Sequence, residues 1–142
     1  MARTPAIPME TPYKGSFEAE GDILQYHAVI AGTDDHQVKE LERGESGDGV
    51  NIEGVAQEDA LDGNSVPVVH FGITWAFASG AITRGDEVEA IYSATAAENG
   101  RFKTISGAYG AGKMISGIAL EDAEDGAKFK LFLHRRKQVA LS

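Results

Sequence analysis

IEGVAQEDALDG, at residues 52–63, returns in altered form as ISGIALEDAEDG at residues 115–126. Both stretches follow the pattern Ile-x-Gly-apolar-Ala-x-Glu-Asp-Ala-x-Asp-Gly, at an offset of 63 residues. A second match, Gly21-Asp22 with Gly85-Asp86, precedes the two copies. Self-similarity at a fixed offset indicates a duplicated structural unit. We therefore predict two copies of one β unit, at about residues 21–72 and 85–134.

Short apolar runs that alternate with polar residues surround both copies. In the last run, Phe129, Leu131 and Leu133 alternate with Lys128 and Lys130. Such a period of two residues indicates strands with one buried face. A lone unit of two or three strands would leave its apolar face in water. The sequence therefore predicts a mainly β fold, a compact sandwich or barrel in which the two units pack together.

Helix is predicted only as single turns within the repeated stretches. These turns are Glu58–Asp62 and Glu121–Asp125, and each is followed by a Gly that can end a helical turn. The clustered carboxylates also raise the alternative of Ca²⁺ binding, although their spacing differs from that of an EF-hand loop. Calcium binding at these two turns stays open at this stage.

The first twenty residues differ from the rest of the chain. Three of the four prolines, Pro5, Pro8 and Pro12, lie here and favour extended backbone. The segment also carries apolar side chains that an isolated extended chain cannot bury, namely Ile7, Met9, Tyr13 and Phe17. We predict an extended N-terminal arm over residues 1–20 that contacts a neighbouring subunit, and a β domain over residues 21–142.

Composition excludes several classes of function. The formal net charge is −9, so phosphate backbones repel the chain and nucleic acid is not an expected partner. The absence of Cys excludes disulfides, thiolate zinc sites and Cys nucleophiles. No apolar run approaches the roughly 20 residues of a membrane span, so no membrane partner is expected.

One stretch resembles a phosphate-binding loop. GAYGAGKM at residues 107–114 matches seven positions of the G-x-x-x-x-G-K-[ST] pattern, but Met114 stands where a hydroxyl must bind Mg²⁺. The residues that follow are strand-like, whereas a phosphate-binding loop opens a helix. We therefore predict a Gly-rich loop and no nucleotide cofactor.

Other catalytic and metal-binding patterns are missing from the sequence. The histidines have no metal-ligand spacing, and no G-x-S-x-G motif presents a nucleophile. The four histidines are His27, His36, His70 and His134. The sequence therefore predicts no cofactor and no enzymatic activity, and it predicts no metal outside the open question of Ca²⁺ at the two acidic turns.

Trp75 and Phe77 lie two residues apart, on one face of a predicted strand. Aromatic side chains in such a position either fill a core or form a subunit interface, where aromatics are enriched. We retain both residues as candidates for a subunit interface.

The order and spacing of several motifs resemble the phage head decoration, or cement, proteins of the small β type. The similarity spans about residues 21–133. Its motifs are YHAVIAGTDD at 26–35 with Gln37-Val38, GVAQEDA at 54–60 with Gly63, SGAITRGD at 79–86, and GIALEDA at 117–123 with Gly126.

This resemblance implies a homotrimer, assembled in the host cytoplasm, that binds the outer surface of the assembled head and stabilises contacts between major capsid subunits. The arm would then contact the shell through Ile7, Pro8, Met9, Tyr13 and Phe17. Two alternatives remain: another virion or appendage structural or carbohydrate-binding β module, and a nucleotide-binding, recombinase-like enzyme.

Overall fold

A computed structural model describes residues 13–43, 51–105 and 114–137 of the chain. The strands within them are β1 Tyr13–Ala19, β2 Ala28–Ala31, β3 Gln37–Glu40, β4 Gly54–Ala56, β5 Ser65–Phe77, β6 Glu87–Ala90, β7 Phe102–Thr104, β8 Met114–Ala119 and β9 Lys128–Lys137. A 3₁₀ turn at Ala96–Glu98 is the only helical element in these residues, which confirms the mainly β prediction. No helix in the described part of the chain is long and apolar enough to cross a membrane.

Five strands close a barrel in the first half of the chain. Their order is β1-β3-β2-β4-β5, and β1 also pairs with β5, which joins the two edges. All pairs are antiparallel except β1 with β3. Closure removes exposed strand edges and encloses small apolar side chains. The buried cluster inside consists of Ala19, Ile23, Val29, Val38, Ala56, Ala60, Val66 and Val68.

The second half of the chain repeats this arrangement. The second half of β5, from Gly72 to Phe77, pairs with β9, and the order continues through β8, β6 and β7. A parallel bridge between Ala78 and Phe102 returns the sheet to the end of β5. The corresponding parallel pair in the first barrel is Ala19 with Val38. β5 is therefore the last strand of one unit and the first strand of the next.

Hydrogen bonds at the two acidic turns show the same correspondence. The Gln25 amide donates to Asp59 Oδ1 at 2.7 Å in the first unit. In the second unit the Arg84 amide donates to Asp122 Oδ1 at 2.8 Å. These turns contain bends and single bridges rather than helix, so the prediction of helical turns at these two places is wrong. The carboxylates instead hold neighbouring loop amides.

A second pair of bonds corrects the predicted register of the repeat. The Gly21 amide donates to Asp62 Oδ1 at 2.8 Å. The Gly80 amide donates to Asp125 Oδ1, also at 2.8 Å. Gly21 therefore corresponds to Gly80, and its predicted match to Gly85 is wrong. The second unit begins within β5 rather than at residue 85.

The predicted arm also requires correction where it is described. β1 occupies residues 13–19 and pairs with β5 from Tyr13 to Glu18, so it belongs to the first barrel. Phe17 packs against the buried cluster of that barrel and meets the His70 ring edge-on at 5.2 Å between centroids. Ile7, Pro8 and Met9 lie outside the described residues.

The two units share a second, larger core. It combines the interior of the second barrel with outward-facing residues of the first. Its main members are Ala28, Ile30, Leu41, Ile52, Val55 and Val69 from the first unit, and Ala76, Val88, Phe102, Phe129, Leu131 and Leu133 from the second. Asn99 of the second unit donates to the Leu41 carbonyl at 2.8 Å, which joins the units by a buried hydrogen bond. The packing of the two units against each other follows the prediction from the repeat.

Candidate interaction surface

The second half of β5 has one buried and one solvent-facing side. Thr74 and Ala76 point into the second barrel and are 5% and 0% exposed. Because side chains alternate along a strand, Ile73, Trp75 and Phe77 point outward. Ile73 is 40% exposed, and Trp75 and Phe77 are half-buried. The strand thus presents three large side chains on the outside of the protein.

β9 extends this outer face. Its inward residues are fully buried, while Lys128, Lys130 and Phe132 alternate with them and face outward. In the antiparallel register Phe77 lies opposite Lys128, Trp75 opposite Lys130, and Ile73 opposite Phe132. Residues opposite one another on adjacent strands have interacting side chains. β5 and β9 therefore build one continuous surface.

Phe71 adds a further ring at one end. It is 54% exposed and meets the Phe132 ring edge-on, with centroids 5.6 Å apart. Edge-to-face pairs of this kind hold aromatic side chains in a defined arrangement. We call the whole set the aromatic surface, and it consists of Phe71, Ile73, Trp75, Phe77, Lys128, Lys130 and Phe132.

Two lysines lie over the ring of Trp75. Lys128 Nζ is 4.7 Å from the ring centroid, and Lys130 Nζ is 5.5 Å from it. Lys128 also lies 5.6 Å from the ring of Tyr26. An ammonium group within about 6 Å of an aromatic face is attracted by the ring quadrupole. These contacts hold the two positive charges above the centre of the aromatic surface.

A cleft begins at the Phe77 end of the aromatic surface. Phe77 lies 5.2 Å from the His27 ring and 6.4 Å from the Tyr26 ring, measured between centroids. The two ring nitrogens of His27 face the carbonyl oxygens of Gln25 and Ala97, at 2.8 and 3.0 Å. The cleft has a volume of about 300 Å³ and is lined by Leu24, Gln25, His27, Asp59, Phe77, Ala97 and Arg101. It therefore lies where the two units meet.

The first unit is polar at the positions that correspond to Trp75, Phe77 and Lys128. By the register of the repeat, Ser16 corresponds to Trp75 and Ser65 to Lys128. Ser16 and Ser65 are joined there by a hydrogen bond of 3.0 Å between their hydroxyls. The barrel thus tolerates small polar residues at these positions, so the fold alone does not require the aromatic and lysine side chains of the second unit.

The structure brings the predicted interface residues Trp75 and Phe77 together on this surface. The sequence alone does not show that Phe71, Ile73 and Phe132 share this face, because that requires the pairing of β5 with β9. The outward position of the lysines on β9 was visible in the alternation of the last strand. Their location above Trp75 depends on the pairing register, which the sequence does not show.

The remaining candidate sites have the following positions. Residues 107–113 of the loop-like motif lie outside the described residues, and Met114 begins strand β8 where a phosphate-binding loop would open a helix. In the described ranges, no group of three or more His, Asp or Glu side chains could hold a metal ion. Arg135 lies in β9, and its side chain donates to the Ile52 carbonyl of the first unit.

Comparison with known proteins identifies the family. The model of the phage cement protein family matches residues 20–134. The chain belongs to the phage cement proteins. This result confirms the resemblance noted in the motifs and makes the chain a structural protein of the phage head.

The fold also has a counterpart of known structure. The N base of head fiber gp8.5 in bacteriophage phi29 matches with a TM-score of 0.57 and 16% sequence identity, over 92% of this chain and 100% of that one. At this identity the similarity concerns the fold alone. Among curated proteins no significant match to this cement protein was found.

Proposed function

We propose that this cement protein is a capsid decoration protein, which binds the outer surface of the assembled head and stabilises contacts between neighbouring major capsid subunits. The observation that carries the proposal is the exposed aromatic surface of the second unit. Its Trp75 and Lys128 occupy positions that the hydrogen-bonded Ser16 and Ser65 hold in the first unit, although the two units fold alike. We assign this surface as the main contact with the shell.

The chemistry of the aromatic surface suits such a contact. Trp, Tyr and Arg are the residues most often found at the energetic centre of protein interfaces, and large apolar side chains exclude water around them. Burying one large side chain contributes about 1.5 to 3 kcal/mol. Several moderate contacts on a lattice of repeated subunits add up to stable attachment. This work requires only buried interface, so no catalytic reaction is part of the proposal.

The assembly state is also part of the proposal. We expect a homotrimer on the shell, as the family resemblance implies, with the major capsid protein as its partner. Each protomer contributes the aromatic surface. Ile7, Pro8 and Met9 of the N-terminal segment provide a second contact to a neighbouring capsid subunit. The mature protein is then located on the outside of the virion, after assembly in the host cytoplasm.

A second candidate function is carbohydrate binding, which exposed aromatic side chains also favour. Sugar rings stack on an open aromatic face. At Trp75 two ammonium groups lie within 4.7 and 5.5 Å of the ring centroid. A neutral sugar would have to displace them and lose their attraction to the ring. The geometry therefore favours a protein partner, and binding of neutral oligosaccharides at Trp75 would favour the second candidate.

The proposed function is tested with undecorated heads of the phage that encodes the protein. Purified protein is added, unbound protein is removed by sedimentation, and both the occupancy and the temperature of DNA release from the heads are measured. We expect saturable attachment and a higher release temperature. Absence of attachment, or attachment without any gain in head stability, would contradict the proposal.

A further inference from the structure

We propose that the part of the shell that covers the aromatic surface presents carboxylate groups beside apolar side chains, and that Lys128 and Lys130 pair with those carboxylates. This inference rests on the proposed function, because it specifies the chemistry of the partner at the same surface. It starts from the two ammonium groups above Trp75.

The two lysines are unusual in their charge environment. The chain as a whole has a net charge of −9, with 22 acidic and 13 basic residues. Both lysines are nevertheless exposed, and within the described ranges neither ammonium nitrogen lies within 4.0 Å of a carboxylate oxygen. The nearby Glu121 carboxylate instead accepts a hydrogen bond of 3.0 Å from the Lys130 backbone amide. By contrast, Lys39 pairs with Glu42 and Lys103 with Glu89. Among the described residues, no ion pair neutralises the positive charge of the aromatic surface.

Burial of the aromatic surface would also bury these charges. Any partner that covers the ring of Trp75 must approach within a few ångströms of both ammonium groups, because these lie 4.7 and 5.5 Å from the ring centroid. Removing a charge from water without supplying a partner charge is strongly unfavourable. For a neutral apolar partner, the cost of removing two ammonium groups from water would therefore exceed the gain from burying one indole ring. A surface with carboxylates placed over them avoids that cost.

The repeat provides an internal comparison for this argument. Ser65 and Pro67 occupy the positions in the first unit that correspond to Lys128 and Lys130. Neither carries a charge, so the barrel does not need cations there. The lysines and the aromatic side chains appear together, on the same face of the same unit. Their combination matches a partner surface that is both acidic and apolar, and charge complementarity of this kind sets specificity and the rate of association.

The test uses undecorated heads and a set of charge variants. Lys128→Gln with Lys130→Gln removes both charges, and Lys128→Arg with Lys130→Arg keeps them. Lys39→Gln removes one charge from strand β3 of the first unit, which is not part of the aromatic surface, and serves as a control. Occupancy is measured by sedimentation at low and high NaCl, and the melting temperature of each variant is measured to exclude unfolding.

We expect the double Gln variant to bind the heads roughly tenfold more weakly at low salt and to lose most of the salt dependence of attachment. The double Arg variant and Lys39→Gln should remain within about twofold of the unmodified protein. If the unmodified protein attaches and the double Gln variant attaches equally well, the inference fails and the proposed function stands. If the unmodified protein does not attach, the proposed function fails, and the inference fails with it.

Discussion

Ser16 in the first barrel and Trp75 in the second occupy matching positions on matching strands. Ser16 forms a hydrogen bond to the Ser65 hydroxyl, whereas Trp75 lies under two lysines on a face open to solvent. Because both units adopt the same strand order, a residue type that both units share is one that the fold needs. A residue type that only one unit has is free to serve function. Comparison of the two units within this one chain therefore distinguishes the residues that the fold needs from the residues that are free to serve function.

Shared features lie at the turns and close approaches. Asp59 and Asp122 hold corresponding loop amides, and Gly54 and Gly117 both lie against a carbonyl oxygen of the neighbouring strand. Changes at these positions and in β1 test what the fold needs, whereas changes at Glu20 and on the aromatic surface test where the two units differ.

Deletion of residues 1–20 should have the largest effect. It removes β1, which closes the first barrel and covers the cluster around Val66 and Val68. We expect loss of several kcal/mol of stability and of a cooperative unfolding transition, measured by urea denaturation. Deletion of residues 1–12 should leave the melting temperature within a few degrees. If the longer deletion also leaves the transition unchanged, residues 13–19 are an arm and not part of the barrel.

Gly54→Ala and Gly117→Ala should each destabilise the protein by roughly 3 kcal/mol, since an added Cβ would overlap a carbonyl oxygen of the neighbouring strand. Gly21→Ala is the matched control. Its Cβ would meet no atom within 4 Å, and only the φ of +85° should cost about 1 kcal/mol. Chemical denaturation measures all three. A cost below that of Gly21→Ala at only one of the two close approaches would show that the units are not equivalent there.

Asp59→Ala and Asp122→Ala should cost about 1 kcal/mol each, because each leaves one loop amide without its acceptor. The same carboxylates were the candidates for Ca²⁺ binding. We expect millimolar Ca²⁺ to leave the melting temperature of the unmodified protein unchanged. An upward shift with Ca²⁺ that Asp59→Ala abolishes would restore the calcium alternative.

The two units should also differ, by a smaller amount, in how acid affects their stability. The Thr33 hydroxyl and the Thr33 amide both donate hydrogen bonds to the Glu20 carboxylate. These bonds, that of the hydroxyl more than that of the amide, hold the pKa of Glu20 below its usual value. A lowered pKa in the folded protein means that the contribution to stability is present above the ordinary pKa of about 4.5 and is lost as the pH falls through the folded value. Ser79 occupies the matching position of the second unit and cannot contribute in this way.

Glu20→Gln should therefore lower the melting temperature at pH 7 and lower it by less at pH 3. Ser79→Ala is the control, and its effect should not change between the two pH values. An equal effect of Glu20→Gln at both pH values would show that the Thr33 contacts do not depend on the charge of the carboxylate.

The sequence predicted the mainly β fold, the duplication and the inward face of β9, because all three depend on local alternation and internal similarity. It did not predict the register of the repeat. Tyr26 has a φ of 61° and corresponds in position to Gly85, which has a φ of 92°. Matching Gly21 to Gly85 because both are glycines therefore placed the start of the second unit too far along the chain.

Nonlocal pairings explain the other errors. β1 joins the barrel through contacts with β5 that lie about fifty residues away in the chain, and nothing in the local pattern of residues 13–19 separates a barrel strand from an extended arm. For the same reason Trp75 and Phe77 could be selected from the sequence, while Lys130 and Phe132 could not be placed beside them. Alternation predicts which side chains share a strand face, and only the pairing register predicts which strands share a surface.

The central claim is that the aromatic surface of the second unit attaches the protein to the head, and exchanging residues between the units tests it most directly. Trp75→Ser with Phe77→Glu gives the second unit the residues that the first unit carries at Ser16 and Glu18. Ser16→Ala with Glu18→Gln is the matched control. Occupancy on undecorated heads is measured by sedimentation, together with the melting temperature. We predict that the exchanged variant stays folded and binds at least about a hundredfold more weakly, while the control binds like the unmodified protein. Equal occupancy by the folded exchanged variant would contradict the claim.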